Sequence, residues 1–218
     1  MYARFWKRLF DIILSLFGLI ALSPLLLGLT AAGAAVMRGN PFFIQKRPGM
    51  INPETGEERI ISLLKFRTMT DERDHEGNLL PDEKRLNRYG RFLRTFSLDE
   101  LISLVNILVG DISIVGPRPL LVKYLPLYSE EQRHRHDVRP GLTGYAQAHG
   151  RNAVQWEDRF AMDVWYTKHI TLRNDIDILI TTVKIVIKRD GIHSETSATM
   201  EEFKGSTEDS VITWEVPV

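Results

Sequence analysis

From Ile12 to Met37 the chain runs for 26 residues without a charged side chain. As one helix at 1.5 Å per residue it would reach about 39 Å, more than the roughly 30 Å of a bilayer's hydrocarbon core. A proline interrupts it. Pro24, following Ser23, removes the hydrogen bond to the Ile20 carbonyl and crowds that turn. Basic side chains flank both ends, Arg4, Lys7 and Arg8 before the run and Arg38, Lys46 and Arg47 after it. A straight span places one cluster on the face that basic residues avoid. A helix broken at Ser23-Pro24 that returns to its starting face satisfies both. Proline is tolerated in spanning helices, so the straight span stays open. Ala32-Gly33-Ala34 also offers a signal-peptide cleavage pattern, although the apolar run is too long for an ordinary signal.

The remaining length of this 218-residue chain suffices for one globular core. Basic and acidic side chains balance at 28 each, so no global field argues for nucleic acid as a partner. There is no cysteine, which excludes disulfides and thiolate metal sites.

The densest chemistry lies between Arg94 and Pro119, RTFSLDELISLVNILVGDISIVGPRP. Ser97 and Glu100 have the spacing of a capping box, which predicts a helix start with Ser97 as N-cap. Leu98, Leu101, Ile102, Val105 and Leu108 then follow at helical spacing. Capping accounts for Glu100 but not for Asp99 or the Gly116-Pro117-Arg118-Pro119 loop. In a first helical turn the macrodipole favours both carboxylates as anions. Arg118, held between two prolines, is suited to bidentate contact with a phosphate.

This stretch resembles the signature of the bacterial sugar transferases, the monotopic polyprenyl-phosphate phosphoglycosyl transferases, which reads LDELPQL, then N, then GDMSxVGPRP. The chain matches it at Leu98-Asp99-Glu100-Leu101, Asn106, Gly110-Asp111, Ser113 and Val115 to Pro119. It departs at Ile102-Ser103 and Ile112, none of them a charged position. Lys65-Phe66-Arg67-Thr68-Met69 resembles the family's KFRSM. Arg139 to Tyr145, with Gln147, Gly150, Arg151 and Asn152, is similar to RPGITGWAQxxGRN, and Asp163 to Tyr166 is similar to LDVYYV. The likeness extends from Lys7 to Gly205.

The resemblance implies transfer of a phosphosugar from a UDP-sugar to polyprenyl (undecaprenyl) phosphate, with UMP released and a polyprenyl diphosphosugar formed. It implies Asp99 as the nucleophile that carries the phosphosugar and Glu100 as the ligand of Mg2+. Lys65, Arg94 and Asp163 match residues of the family's active site, and Arg67, Arg118 and Arg139 complete the expected phosphate-binding set. The expected place is the bacterial cytoplasmic membrane, with the catalytic part on its cytoplasmic face and membrane lipid as a partner. A homo-oligomer is left open.

Elsewhere, Gly39 to Glu58 reads as turn-rich, Phe42 to Ile44 as a short strand or interfacial foot, and Arg59 to Leu64 as a strand. Asp82 to Phe96 reads as one basic amphipathic helix, either at the headgroup level or as a solvated surface helix packed on the core. Ser129-Glu130-Glu131 starts a short helix, and His134-Arg135-His136 reads as solvated and charged. Trp156 to Ile170 and Asp175 to Lys188 read as helices. The fold expectation is mostly α with short strands. Residues 1–38 are a membrane-embedded re-entrant helix-break-helix, 39–205 a small catalytic domain poor in β structure with interfacial amphipathic helices, and 206–218 a tail without assigned role. Two other readings stand beside this one. Asp175-Ile176-Asp177 matches the D-x-D of nucleotide-sugar glycosyltransferases, although no βαβ nucleotide unit precedes it. A non-catalytic membrane-anchored scaffold is the other.

Overall fold

The computed structural model describes residues 1–150, 154–188, 202–206 and 212–215. After a wide first turn at Tyr2–Trp6, helix α1 (Lys7–Ala21) leads to Leu22, and α2 (Ser23–Met37) departs at 64° to it. The bend has a local cause. Pro24 lacks the amide that Ile20 would have received, and the Ser23 hydroxyl donates to the Ile20 carbonyl instead, at 2.8 Å. Among the described residues no single helix is long and apolar enough to cross a membrane, whereas the bent pair together passes that test by length and composition. Phe17, Ile20 and Leu27 are 66–70% exposed on this pair, while Leu26 and Leu29 pack against Phe66 and Leu93.

β1 (Phe42–Ile51) and β2 (Glu58–Phe66) form an antiparallel hairpin in the register Phe42↔Phe66 to Pro48↔Ile60, with an irregularity before Ile51. The expected turn-rich stretch is therefore mostly strand. Pro48 is tolerated because β1 is an edge strand. The other edge, that of β2, is closed by side chains. Asn106 accepts from the Leu64 amide and donates to the Ser62 carbonyl, at 2.9 and 2.8 Å, and the Ser103 hydroxyl donates to the Leu64 carbonyl at 2.6 Å. Asn106 thus stands in for a neighbouring strand.

The expected helix from Asp82 to Phe96 is two helices, α3 (Asp82–Arg85) and α4 (Arg88–Thr95). Asn87 breaks them by capping α4, its Oδ1 accepting from the Gly90 amide at 2.8 Å. Gly90 is required for packing, because a Cβ there would lie 1.8 Å from the Thr68 carbonyl. Leu93 is fully buried and the Tyr89 hydroxyl donates to Leu29, so α4 packs on α2 as well as exposing Phe92. A 3-10 helix (Leu98–Ser103) then runs into α5 (Leu104–Val109).

β3 (Ser113–Val115) pairs in parallel with β4 (Gly141–Thr143). Between them lie a 3-10 turn (Val122–Leu127) and α6 (Glu130–Arg133), the latter with a complete Ser129/Gln132 capping box. α7 (Tyr145–His149), α8 (Trp156–Lys168) and α9 (Leu172–Lys188) follow. The expectation of two charged, solvated histidines fails at His136. It is 3% exposed, and burial followed by repulsion from Arg135 pushes its pKa down to about 3. Tyr124, Tyr128, Phe160 and Phe203 build an aromatic core on α8. Part of the tail docks there too, since Asp158 accepts from the Thr213 and Trp214 amides at 2.6 and 2.8 Å. Arg151, Asn152 and Val211 fall outside the described residues.

The N-terminal helix is bound to this core by polar contacts. Arg8 donates to the Ile107 and Leu108 carbonyls at 2.6 and 2.8 Å, at the open end of α5. Asp11 accepts from the Ile114 amide of β3 at 2.9 Å. Lys7 and the Tyr2 hydroxyl both donate to Asp175 Oδ2 at 2.6 Å.

Candidate active site

Asp99 and Glu100 occupy the first turn of the 3-10 helix, but the capping box does not form. Ser97 adopts a left-handed conformation, φ 53°, and its side chain caps nothing. Glu100 is engaged elsewhere. Its Oε1 accepts from Lys65 Nζ at 2.6 Å and from Arg118 Nη2 at 2.5 Å, and its Oε2 accepts from Arg118 Nη1 at 3.2 Å. Lys65 arrives at the end of β2 and Arg118 from the loop after β3. Burial alone would raise the Glu100 carboxyl, but Arg118 and Lys65 overcome it and bring its pKa down to about 2. The same burial lowers the Lys65 ammonium, with Glu100 opposing.

Asp99 lives under different conditions. It forms no ion pair among the described residues, and it lines a cleft of about 450 Å3 with Arg47, Lys65, Arg67, Thr68 and Arg94. Burial pushes its carboxyl up, the negative charge of Glu100 adds to that, and Lys65 pulls back. Equal ionisation at the helix start was the expectation. Two neighbouring carboxylates instead have opposite environments, one clamped by cations and one facing a cleft.

The structure brings Asp99, Glu100, Lys65, Arg67, Arg94 and Arg118 together around that cleft and a smaller adjoining cavity behind Glu100. It does not bring Arg139 there. Arg139 Nε donates to the Gly110 carbonyl at 3.1 Å, and the side chain lines a separate cleft beside Asp111. Asp163 also stays out of the cleft. It is buried behind the site and receives Arg135 Nη2 at 2.6 Å and Nε at 3.2 Å. The same Nη2 donates to the main-chain carbonyl of Arg118 at 2.8 Å. Asp163 therefore acts through Arg135, fixing the backbone of the Pro117-Arg118-Pro119 turn whose arginine grips Glu100. Ser23 and Pro24 lie at the helix bend, away from the site.

Two residues of this constellation escaped the sequence reading. Arg135 was hidden in a His-Arg-His triplet that reads as surface, yet it is 1% exposed. Arg47 was hidden in Arg47-Pro48-Gly49, which reads as a turn. The strand alternation Phe43, Gln45, Arg47 was the available signal, since all three line the Asp99 cleft.

Magnesium commonly takes one or two protein carboxylates and completes its shell with substrate phosphates and water. Asp99 and Glu100 are adjacent, but both Glu100 oxygens already accept from Lys65 and Arg118, and Asp99 is the carboxylate that lines the larger cleft. Among the described residues no group of three or more acidic or histidine side chains could hold a metal ion, so a magnesium ion would have to bring most of its ligands as substrate phosphate and water. The D-x-D reading finds no support in the geometry. Asp175 is committed to Lys7, Tyr2 and Tyr166, while Asp177 pairs with His149 at 3.0 Å.

Comparison with known proteins gives one result throughout. The family model of the bacterial sugar transferases matches residues 2–189. The uncharacterized sugar transferase EpsL of Bacillus subtilis is 49% identical over 92% of this chain and 96% of its own length. The undecaprenyl-phosphate galactose phosphotransferase of Salmonella typhimurium is 36% identical over 88% of this chain. The UDP-glucose:undecaprenyl-phosphate glucose-1-phosphate transferase of Klebsiella pneumoniae is 35% identical over 82% of it. The chain spans only 42% and 39% of those last two relatives. With the family model matching residues 2–189, most of its length, this chain belongs to the bacterial sugar transferases.

Proposed function

We propose that the protein moves a phosphosugar from a UDP-sugar to polyprenyl phosphate through a phosphosugar covalently bound to Asp99, releasing UMP in the first half-reaction. The observation that carries this is the asymmetry of the two carboxylates. Glu100 is held by Lys65 and Arg118 and is not available to attack, whereas Asp99 faces the cleft with no ion pair among the described residues. Asp99 oxygen attacks the phosphorus bearing the sugar, the bond to UMP breaks, and the leaving phosphate departs as an anion. Polyprenyl phosphate, already anionic, then attacks the same phosphorus and releases Asp99 as a carboxylate, so no strong base is needed. Lys65 and Arg118 hold Glu100 in place, and Arg94 adds positive charge at the cleft. Magnesium, taken by Glu100 in exchange for part of its contact with Lys65 and Arg118, would supply charge neutralisation for the diphosphate. The names of the Salmonella and Klebsiella relatives support undecaprenyl phosphate as acceptor.

The bent apolar helix pair suits such an enzyme, because one substrate is soluble and the other presents its phosphate at headgroup level. The proposed location is the bacterial cytoplasmic membrane, with α1 and α2 re-entering on the cytoplasmic face. Incubation with UDP-sugars and magnesium, without lipid, is expected to release UMP and leave the mass of one phosphosugar on the Asp99 peptide. Asp99→Asn abolishes both. Turnover by Asp99→Asn, or intersecting double-reciprocal plots with no adduct on the sugar that turns over, would exclude the covalent route.

A further inference from the structure

The Asp99 cleft and the small cavity behind Glu100 share two side chains, Lys65 and Arg47. Most cations around them are already matched. Glu100 engages Lys65 and Arg118, Asp71 takes Arg67 at 2.5 Å, and Asp82 lies 3.4 Å from Arg85. Among the described residues, two arginines on this cleft have only a neutral side-chain partner. Arg94 Nε donates to the Thr68 hydroxyl at 3.2 Å, and Arg47 Nη2 donates to the Gln45 amide oxygen at 2.6 Å.

Arg47 is the more constrained of the two. It is half-buried on β1 between Gln45 and the fully buried Pro48, so strand geometry fixes its position. Glu100 is shared by Arg118 and Lys65, and among the described residues Asp99, on the same cleft, forms no ion pair with Arg47, so Arg47 is left without a carboxylate partner. Burial first, and then repulsion from Arg118, lowers the Arg47 pKa to about 10. A cation kept desolvated beside two others, without a carboxylate of its own, is destabilising unless an anion arrives.

We infer that Arg47 is a substrate-binding residue whose guanidinium takes a phosphoryl group entering the Asp99 cleft. The reading rests on the proposed function and adds a residue to it. A planar fork with one N–H committed to Gln45 retains donors for phosphate oxygens, which a lysine at the same place would present as a point charge. The phosphoryl group has two sources, the donor's diphosphate and the acceptor's monophosphate.

The test is UDP binding by calorimetry to the full chain in detergent with magnesium, for wild type, Arg47→Gln and Arg47→Lys. Loss of a charge-assisted contact predicts about ten- to hundred-fold weaker UDP binding for Arg47→Gln, with Arg47→Lys between it and wild type. The thermal midpoint of Arg47→Gln is expected to stay level or rise, because a buried unmatched charge is removed. A structural role predicts the reverse, a lower midpoint with UDP affinity kept. Separate KM values assign the source, a rise for UDP-sugar alone marking the donor diphosphate and a rise for polyprenyl phosphate alone marking the acceptor. Variants that bind UDP within twofold of wild type with unchanged KM values overturn the inference. If Arg47→Gln fails to fold, Arg47→Lys alone decides by the same affinity criterion. Wild type that binds UDP through Arg47 but forms no adduct and transfers no sugar would refute the functional reading and leave the anion site standing.

Discussion

Asp163→Asn separates positioning from catalysis. Asp163 and Arg135 are 3% and 1% exposed at their side chains and meet at 2.6 Å, so this is a buried ion pair with Tyr128 and Phe160 rings over the guanidinium. Asparagine keeps the shape and an acceptor oxygen but removes the charge that Arg135 faces. Breaking a buried pair from one side costs about 3–5 kcal/mol, because the remaining charge stays desolvated. At about 1.4 kcal/mol per tenfold, this lowers the folding equilibrium constant by about two to three and a half orders of magnitude. The double variant Asp163→Leu with Arg135→Met removes both charges, and apolar replacement of a whole buried pair is often near neutral. Stability should therefore return in the double variant. Activity should not, because methionine cannot donate to the Arg118 carbonyl, which Arg135 now holds at 2.8 Å. Urea midpoints give the first quantity and kcat for UMP release the second. A single variant that loses under 1 kcal/mol, or a double variant with wild-type kcat, would refute this account of Asp163.

Glu100→Gln is expected to lose about 1.5–3 kcal/mol of stability along with activity, since charged hydrogen bonds to Lys65 and Arg118 are weakened; a capping role predicts unchanged stability, and urea unfolding distinguishes them. His136 is neutral in the fold down to about pH 3, whereas the unfolded chain protonates it below its ordinary value near 6.5. The unfolded state therefore binds more protons in that window, and stability falls by up to about 1.4 kcal/mol per pH unit on acidification. Denaturation at pH 7 and pH 5 should show this slope, and His136→Phe should flatten it. Single cysteines placed near Tyr2 and near Asn40 are expected to label from the same face of a sealed vesicle, and labelling from opposite faces would exclude the re-entrant arrangement. Pro24→Ala should restore the Ile20 bond and move some molecules to a straight span.

The sequence by itself determined the elements whose cause is local. Ser23-Pro24 marked the break in an apolar run, Ser129-Glu130-Glu131 marked a helix start, and α8 and α9 followed from apolar spacing. The run from Leu98 to Pro119 singled out Asp99, Glu100 and Arg118 by its motif, without showing that Arg118 returns to Glu100. Contacts distant in sequence were decided only by the tertiary structure. The capping-box pattern at Ser97 is genuine as spacing, but Lys65 and Arg118 bind Glu100 more strongly than a backbone amide would, so the helix starts without the box. The same competition turns Arg135 inward, because Asp163 and two aromatic rings supply what water would have given it. Arg139 sits in a familiar motif yet faces another cleft, since the carbonyl that ends α5 claims its Nε. Propensity and spacing act over a few residues, whereas the partner that satisfies a buried charge can come from anywhere in the chain.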